Sequence, residues 1–194
     1  MDDDGERRGR PTLHKVYSEG QALLTGDYLL TYAFQILAET SGLSAEKKIQ
    51  LIKCLSSESG GEGMIGGQAI DLAVEGGKIS FPLLQKMYEQ KTGALFSTAL
   101  FFGGALGTAC ENDLKILTSL GRSLGIAFQI NDDLHDAENP TSSDKVKNKP
   151  TSITLLGIEK AKEYKEELFI ESIKLISALS VEAPLLEAMT VQLC

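Results

Sequence analysis

The stretch "FQINDDLHDAENP", residues Phe128 to Pro140, sets Asp132, Asp133 and Asp136 directly after an apolar, proline-free run. Two carboxylates about 4 Å apart repel by roughly 4 kcal/mol at an effective dielectric near 20, so such a group calls for a cation. Hard oxygen ligands without a histidine–cysteine set favour Mg²⁺, which commonly bridges a few carboxylates to substrate phosphates. His14 and His135 are the only histidines. The pair His135–Asp136 therefore lacks the companions that a histidine-rich phosphohydrolase centre needs. Basic residues cluster twice, as Arg7, Arg8, Arg10 and Lys15 and as Lys145, Lys147 and Lys149, each time close in sequence to aspartates. That pattern suits an anionic ligand held partly by metal. The plainer alternative, a solvated last turn of a helix, accounts poorly for acidic residues where the helix dipole disfavours them.

Lys91 is the second candidate. Leu84, Tyr88, Lys91 and Leu95 share one helical face, so an ammonium projects from an apolar stripe with Thr92 beside it. A buried ammonium needs an anion, unless the side chain snorkels to the edge of the bundle. Asp27 falls on the Leu23–Leu30–Phe34 face and reads as a hydrogen-bonding group toward a neighbouring helix. Cys54 and Cys110 read as small core residues.

The elements that must position these groups are helical almost throughout. Pro11, Pro82, Pro140, Pro150 and Pro184 fall at element boundaries. Tyr17 to Glu39 reads as a helix with Leu23, Leu30, Phe34 and Leu37 on one face. Ser44 is the expected N-cap of the next, and a glycine-rich stretch, "SGGEGMIGG", leads to a short helix around Gln68 to Val74. Ser80 and Pro82 open a long helix that runs on to Leu106. Glu111 to about Glu138 forms another, with Gly121 and Gly125 where helices approach closely. On that helix Leu114, Leu117, Leu120, Leu124 and Phe128 make a stripe that, extended, gives Asp132 and Asp136, about 6 Å apart along the axis. The carboxylates are thus expected to continue the inward face, with Gln129 and Asp133 alongside. Two or three helices come after the loop Asn139 to Pro150. No alternating strand pattern, hairpin dipeptide or repeat is present, so residues 1–194 read as a single all-α domain, a helical bundle.

The 194 residues suffice for one domain with a sizeable core. A net charge of −8 argues against nucleic acid as a partner. No run approaches the roughly 20 apolar residues of a membrane span, and "MDDDGERRGRP" carries no apolar segment behind it, so no integral membrane segment or signal peptide is expected. Three dispersed cysteines favour a reducing, cytoplasmic setting over a disulfide framework.

Taken together, these segments resemble the trans-isoprenyl diphosphate synthase family, the enzymes that make geranyl, farnesyl and geranylgeranyl diphosphates. "FQINDDLHD" is similar to the family's second aspartate-rich motif, FQxxDDxxD, and "KTGAL" to its Lys-Thr motif. "GMIGGQAIDL" resembles its GQxxDL segment, and "MDDDGERRGRPTLHK" resembles the end of the first aspartate-rich motif with the Arg-Arg-Gly after it. "GQALLTGDYLL" and "NKPTSITLLGIEKAK" match in order and spacing. Six such segments run in family order across nearly the whole chain.

The resemblance implies an all-α fold whose helices surround a deep central cavity, commonly as a homodimer. It implies a prenyltransferase acting on isopentenyl diphosphate and an allylic diphosphate, with Mg²⁺ as cofactor. Carried over by position, Asp132, Asp133 and Asp136 are magnesium ligands or their immediate support, and Asp2 is the last aspartate of the first motif. Arg7 contacts the allylic diphosphate and Arg8 the isopentenyl diphosphate. Lys91, Thr92 and Gln129 lie beside the allylic diphosphate and the developing cation, and Lys149 stabilises the leaving group. The family's first motif reads DDxxxxD, whose leading aspartates this chain lacks, together with the helices before them. The loop after Asp136 is shorter than the family's. These departures lead to the expectation that the chain is N-terminally incomplete and, as residues 1–194, nearly inactive as a synthase. They also keep open a non-catalytic partner subunit as the alternative. A terpene cyclase is rejected, because its NDxxSxxxE motif would need serine at His135 and glutamate at Asn139.

Overall fold

The computed structural model describes residues 3–107, 109–138 and 149–193. The chain divides into two compact units, residues 1–55 and 56–194.

In the first unit, two short strands, β1 (Glu6–Arg7) and β2 (Arg10–Pro11), pair antiparallel with Arg7 opposite Arg10. Arg8 and Gly9 connect them with φ of 52° and 71°. Positive φ at both central residues is the signature of the two-residue hairpin turn. The sequence pattern predicts no strand here; the available signal was the glycine at the second turn position. The four-residue helix α1 (Leu13–Val16) comes next. It leads to α2 (Glu19–Glu39), which starts at Ser18, whose hydroxyl accepts from the Gln21 amide. Leu30, Phe34 and Leu37 are half-buried as expected, whereas Leu23 is exposed. Asp27 is exposed as well, and among the described residues its side chain has no hydrogen-bond partner, contrary to the expectation of a bond to a neighbouring helix. Ser44 caps α3 (Ala45–Ser59) by accepting from the Lys47 amide at 3.2 Å. The last residues of α3 belong to the second unit.

The second unit contains α4 (Met64–Ala73) and α5 (Phe81–Tyr88), then a π-helical turn (Glu89–Gly93) that leads without a break into α6 (Ala94–Leu106). Pro82 sits in the first turn of α5, where its missing N–H costs nothing. The long helix read from the sequence is therefore one helix interrupted by a π turn. Helix α7 (Glu111–Glu138) has the expected bounds. After it come α8 (Ser152–Leu156), α9 (Ile158–Ser177) and α10 (Pro184–Leu193). Gly157, with φ of 81°, turns the chain between α8 and α9 in a conformation that favours glycine.

Helix α7 runs through the middle of this unit. One core cluster joins Leu84, Met87 and Tyr88 of α5 to Ile126, Ala127 and Ile130 of α7 and Ala161 and Leu168 of α9. Another joins Leu117, Leu120 and Leu124 of α7 to Ile176 of α9, with Phe96 and Leu100 of α6 packed on it. Where α7 meets the helix in front of it, glycine is obligatory. A Cβ at Gly121 would lie 2.3 Å from the Ser97 Cα, and one at Gly125 would lie 2.3 Å from the Gly93 Cα. Both close approaches were expected from the sequence.

Candidate functional site

Three elements of the second unit, α4, the π turn and the end of α7, converge with the segment that opens α8. Asp71 of α4 is buried, and its Oδ2 accepts from Lys91 Nζ at 2.7 Å and from Lys149 Nζ at 3.0 Å. The Lys149 side chain is 4% exposed and that of Lys91 26%. Gln68 adds a weaker bond to the same oxygen at 3.4 Å. The inward projection of Lys91 expected from the sequence is thus present, and its anion is Asp71, 20 residues earlier in the chain.

The π turn sets this geometry. An i→i+5 turn inserts one residue into a helix and rotates the portion beyond it by about 100°. Leu84 and Tyr88 ahead of it are buried, whereas Leu95 behind it is 36% exposed, although the four shared a face in a straight helix. Two glycines grip the turn. A Cβ on Gly67 of α4 would lie 2.2 Å from the Lys91 amide nitrogen, and Gly125 presses on Gly93 from α7. Arg122 adds a third grip by reaching both Glu58 oxygens, at 2.9 and 3.0 Å, and Glu89 at 3.3 Å.

Thr92 Oγ1 donates to Gln129 Oε1 at 2.9 Å, and Gln129 also hydrogen-bonds Asp133. Oδ2 of Asp133 accepts from the Tyr88 hydroxyl, from the Ser152 amide at 2.8 Å and from Ser152 Oγ at 2.7 Å. Burial outweighs these bonds and raises the Asp133 pKa above that of an ordinary aspartate. Burial and the neighbouring carboxylate push the Tyr88 phenol up, so Tyr88 remains the donor.

The three motif aspartates occupy different environments. Asp133 is buried, Asp136 half-buried and Asp132 exposed. The expectation that Asp132 continues the inward leucine stripe is corrected here. Each four-residue step on a helix overshoots a full turn by about 40°. From Leu120 through Leu124 and Phe128 the drift carries Asp132 about 120° round the axis, and Phe128 is already 39% exposed. The buried face passes instead through Ile126, Ile130 and Asp133.

Arg7 and Arg8 lie on the hairpin of the first unit, both exposed. Asp2, and with it Lys145 and Lys147, fall outside the described residues. The structure adds Asp71, Tyr88 and Ser152 to the residues singled out from sequence. Asp71 stood in the "GQAIDL" segment without a role, because its partner Lys149 is 78 residues away.

Solved structures similar to this chain give its fold class. An apo FPP/GFPP synthase from Zymomonas mobilis superposes with a TM-score of 0.89 at 37% identity, covering 100% of this chain and 68% of that one. A geranyltransferase from Helicobacter pylori, complexed with magnesium and isoprenyl diphosphate, superposes with a TM-score of 0.84 at 33% identity, covering 100% and 65%. The fold is that of the all-α isoprenyl synthases. Among curated relatives, the farnesyl diphosphate synthase of Bacillus subtilis is 37% identical over 195 residues, 96% of this chain and 66% of that protein. The profile of the Polyprenyl synthetase family matches residues 1–183, and the chain belongs to that family. It spans about two thirds or less of the length of the Bacillus relative and of the H. pylori structure.

Proposed function

We propose that the protein is a prenyltransferase condensing isopentenyl diphosphate with an allylic diphosphate to give a short-chain prenyl diphosphate, farnesyl or geranylgeranyl diphosphate. The observation that carries this reading is the convergence of Lys91 and Lys149 on one buried carboxylate beside the Thr92–Gln129 pair. In the reaction, the C–O bond of the allylic diphosphate breaks and its electron pair leaves with the diphosphate. The double bond of isopentenyl diphosphate attacks the allylic cation, and a proton is lost. Lys91 and Lys149 supply positive charge where negative charge builds up on the leaving diphosphate. Gln129 and the Thr92 hydroxyl present oriented dipoles next to them. Arg7 holds the allylic diphosphate and Arg8 the isopentenyl diphosphate.

The family implies a divalent metal, and the residues present fit magnesium. Among the described residues no three His, Cys, Asp or Glu side chains form a metal cage. Mg²⁺ commonly takes one or two carboxylates and completes its shell with water and substrate phosphate. Asp132, exposed at the end of α7, and Asp136, one turn on, offer such carboxylates. Asp2 is the third proposed ligand. Asp133 has one oxygen committed to Tyr88 and Ser152, so it supports the motif. When bound, the metal neutralises charge on the diphosphate as the bond breaks.

Residues 1–194 act as one all-α domain in this reading, in keeping with the unbroken family match, and as a homodimer. Leu95, Ala99, Gly103 and Leu106 are exposed along one side of α6, and Leu23, Leu24, Tyr28, Leu29 and Ile36 are exposed on α2. Exposed apolar stripes of this kind mark association surfaces. No described helix is long and apolar enough to cross a membrane. The thiols of Cys54 and Cys110 suit a cytoplasmic setting. The test is calorimetric titration with an allylic diphosphate, with magnesium and with EDTA. Binding should require the metal and be lost in Asp132→Ala; binding that survives both would sink the magnesium role.

A further inference from the structure

Asp71 is an acidic side chain at the centre of a site read as binding an anion. Simple electrostatics would keep a carboxylate away from a diphosphate, yet this one is buried and touches both candidate diphosphate-binding lysines. We infer that Asp71 is a positioning residue, whose Oδ2 fixes the Lys91 and Lys149 ammonium groups as a preset pair for one diphosphate. This inference rests on the diphosphate-binding reading above and extends it to a residue without direct contact with substrate.

Lys149 brings a full positive charge into a space where its side chain is 4% exposed, and a charge so placed requires a paired counter-charge. Lys91 reaches the same oxygen from another element. Two ammonium groups side by side repel, and a carboxylate oxygen shared between them offsets that repulsion and sets their separation. An ammonium carries three N–H donors, and the bond to Asp71 uses one of those of Lys91, leaving two for phosphate oxygens. The partly open pocket that Asp71, Lys91, Gln129 and Lys149 help to line has about 20 Å³ of space for water, room for a single molecule. A diphosphate therefore cannot slip between Asp71 and the lysines. It meets them from the open side of Lys91, with Asp71 behind as the fixed support. Gln68, also bonded to Oδ2, steadies the carboxylate on its own helix.

The two readings of Asp71 differ in the sign of one measurement. If Asp71 were a bystander, Asp71→Asn would remove a negative charge from an anion site and tighten binding. If it positions the lysines, the same change weakens binding although it makes the site more positive. The probe is inorganic pyrophosphate with magnesium, titrated calorimetrically into the full chain and into Asp71→Asn with an unchanged circular dichroism spectrum. The expected result is a loss of affinity of more than tenfold in Asp71→Asn, with part of it restored in Asp71→Glu. Equal or tighter binding by Asp71→Asn overturns the assignment while leaving the diphosphate-binding reading intact. Failure of the unaltered chain to bind pyrophosphate overturns both. If Asp71→Asn does not fold, ¹⁵N-lysine spectra of the unaltered chain with magnesium decide. The Lys91 and Lys149 ammonium resonances, assigned by Lys→Arg replacement, should be visible through slow exchange and should shift together when pyrophosphate is added. Absence of that joint shift overturns the assignment.

Discussion

Asp132 and Asp133 are adjacent in sequence, yet substituting them should have opposite consequences. Asp133→Ala strands the Tyr88 and Ser152 hydroxyls in a buried setting, at about 1–3 kcal/mol for each orphaned group. Chemical denaturation should therefore show a loss of several kcal/mol. Asp132 is exposed, so Asp132→Ala should stay within about 0.5 kcal/mol of the parent while abolishing magnesium-dependent diphosphate binding. The pair separates stability from ligand capture within two residues. A pH dependence goes with it. The raised Asp133 pKa means that the folded state holds a proton which the unfolded chain releases near the ordinary value of 3.8. The Asp133 contribution to stability is thus largest below that value and falls as pH rises through the raised one. Relative to the parent, Asp133→Asn should gain stability over the same window, measured by urea melts at stepped pH. A flat difference would contradict the burial account.

At the scale of elements, the π turn is the feature on which the site depends, and small residues maintain it. Gly67→Ala forces a methyl to within 2.2 Å of the Lys91 amide nitrogen. Backbone must move, so a loss of about 1–3 kcal/mol or more is expected from overpacking. Because the displaced backbone carries Lys91, pyrophosphate affinity should fall with it. Gly26→Ala, in an exposed part of α2 with open space around it, should raise stability slightly by helix propensity and serves as the control. Much of this layer was legible beforehand. The bounds of α7, the Ser44 cap and the approaches at Gly121 and Gly125 come from periodicity, a capping hydroxyl and missing Cβ atoms, which act within a turn or two of chain. The π turn was not legible, since "EQKTGALF" has ordinary helix-compatible residues and the extra residue per turn is imposed by α4 and α7 packing against it. The pairing of Asp71 with Lys149 was hidden for the same reason, because it exists only once distant segments fold together. The outward turn of Asp132 was misread because a stripe of four-residue steps was extended too far along a helix that is buried on several sides.

For the whole molecule, the exposed stripe Leu95, Ala99, Gly103 and Leu106 on α6 predicts self-association. Light scattering at micromolar concentration should report a dimer, and the double change Leu95→Glu with Leu106→Glu should give a monomer with a native helical spectrum. A monomeric parent would contradict the proposed homodimer. The stripe and the site share one helix, and only the π turn sets their relative phase. Deleting a single residue between Glu89 and Gly93 would leave a continuous α-helix with nearly the same composition, yet it would swing one end by about 100° against the other. Either Lys91 and Thr92 would leave the cleft, or the apolar stripe would face elsewhere. The register of the lysine site and the direction of the apolar stripe are therefore locked to the same one-residue insertion, and a lineage that lost it would have to rebuild both at once.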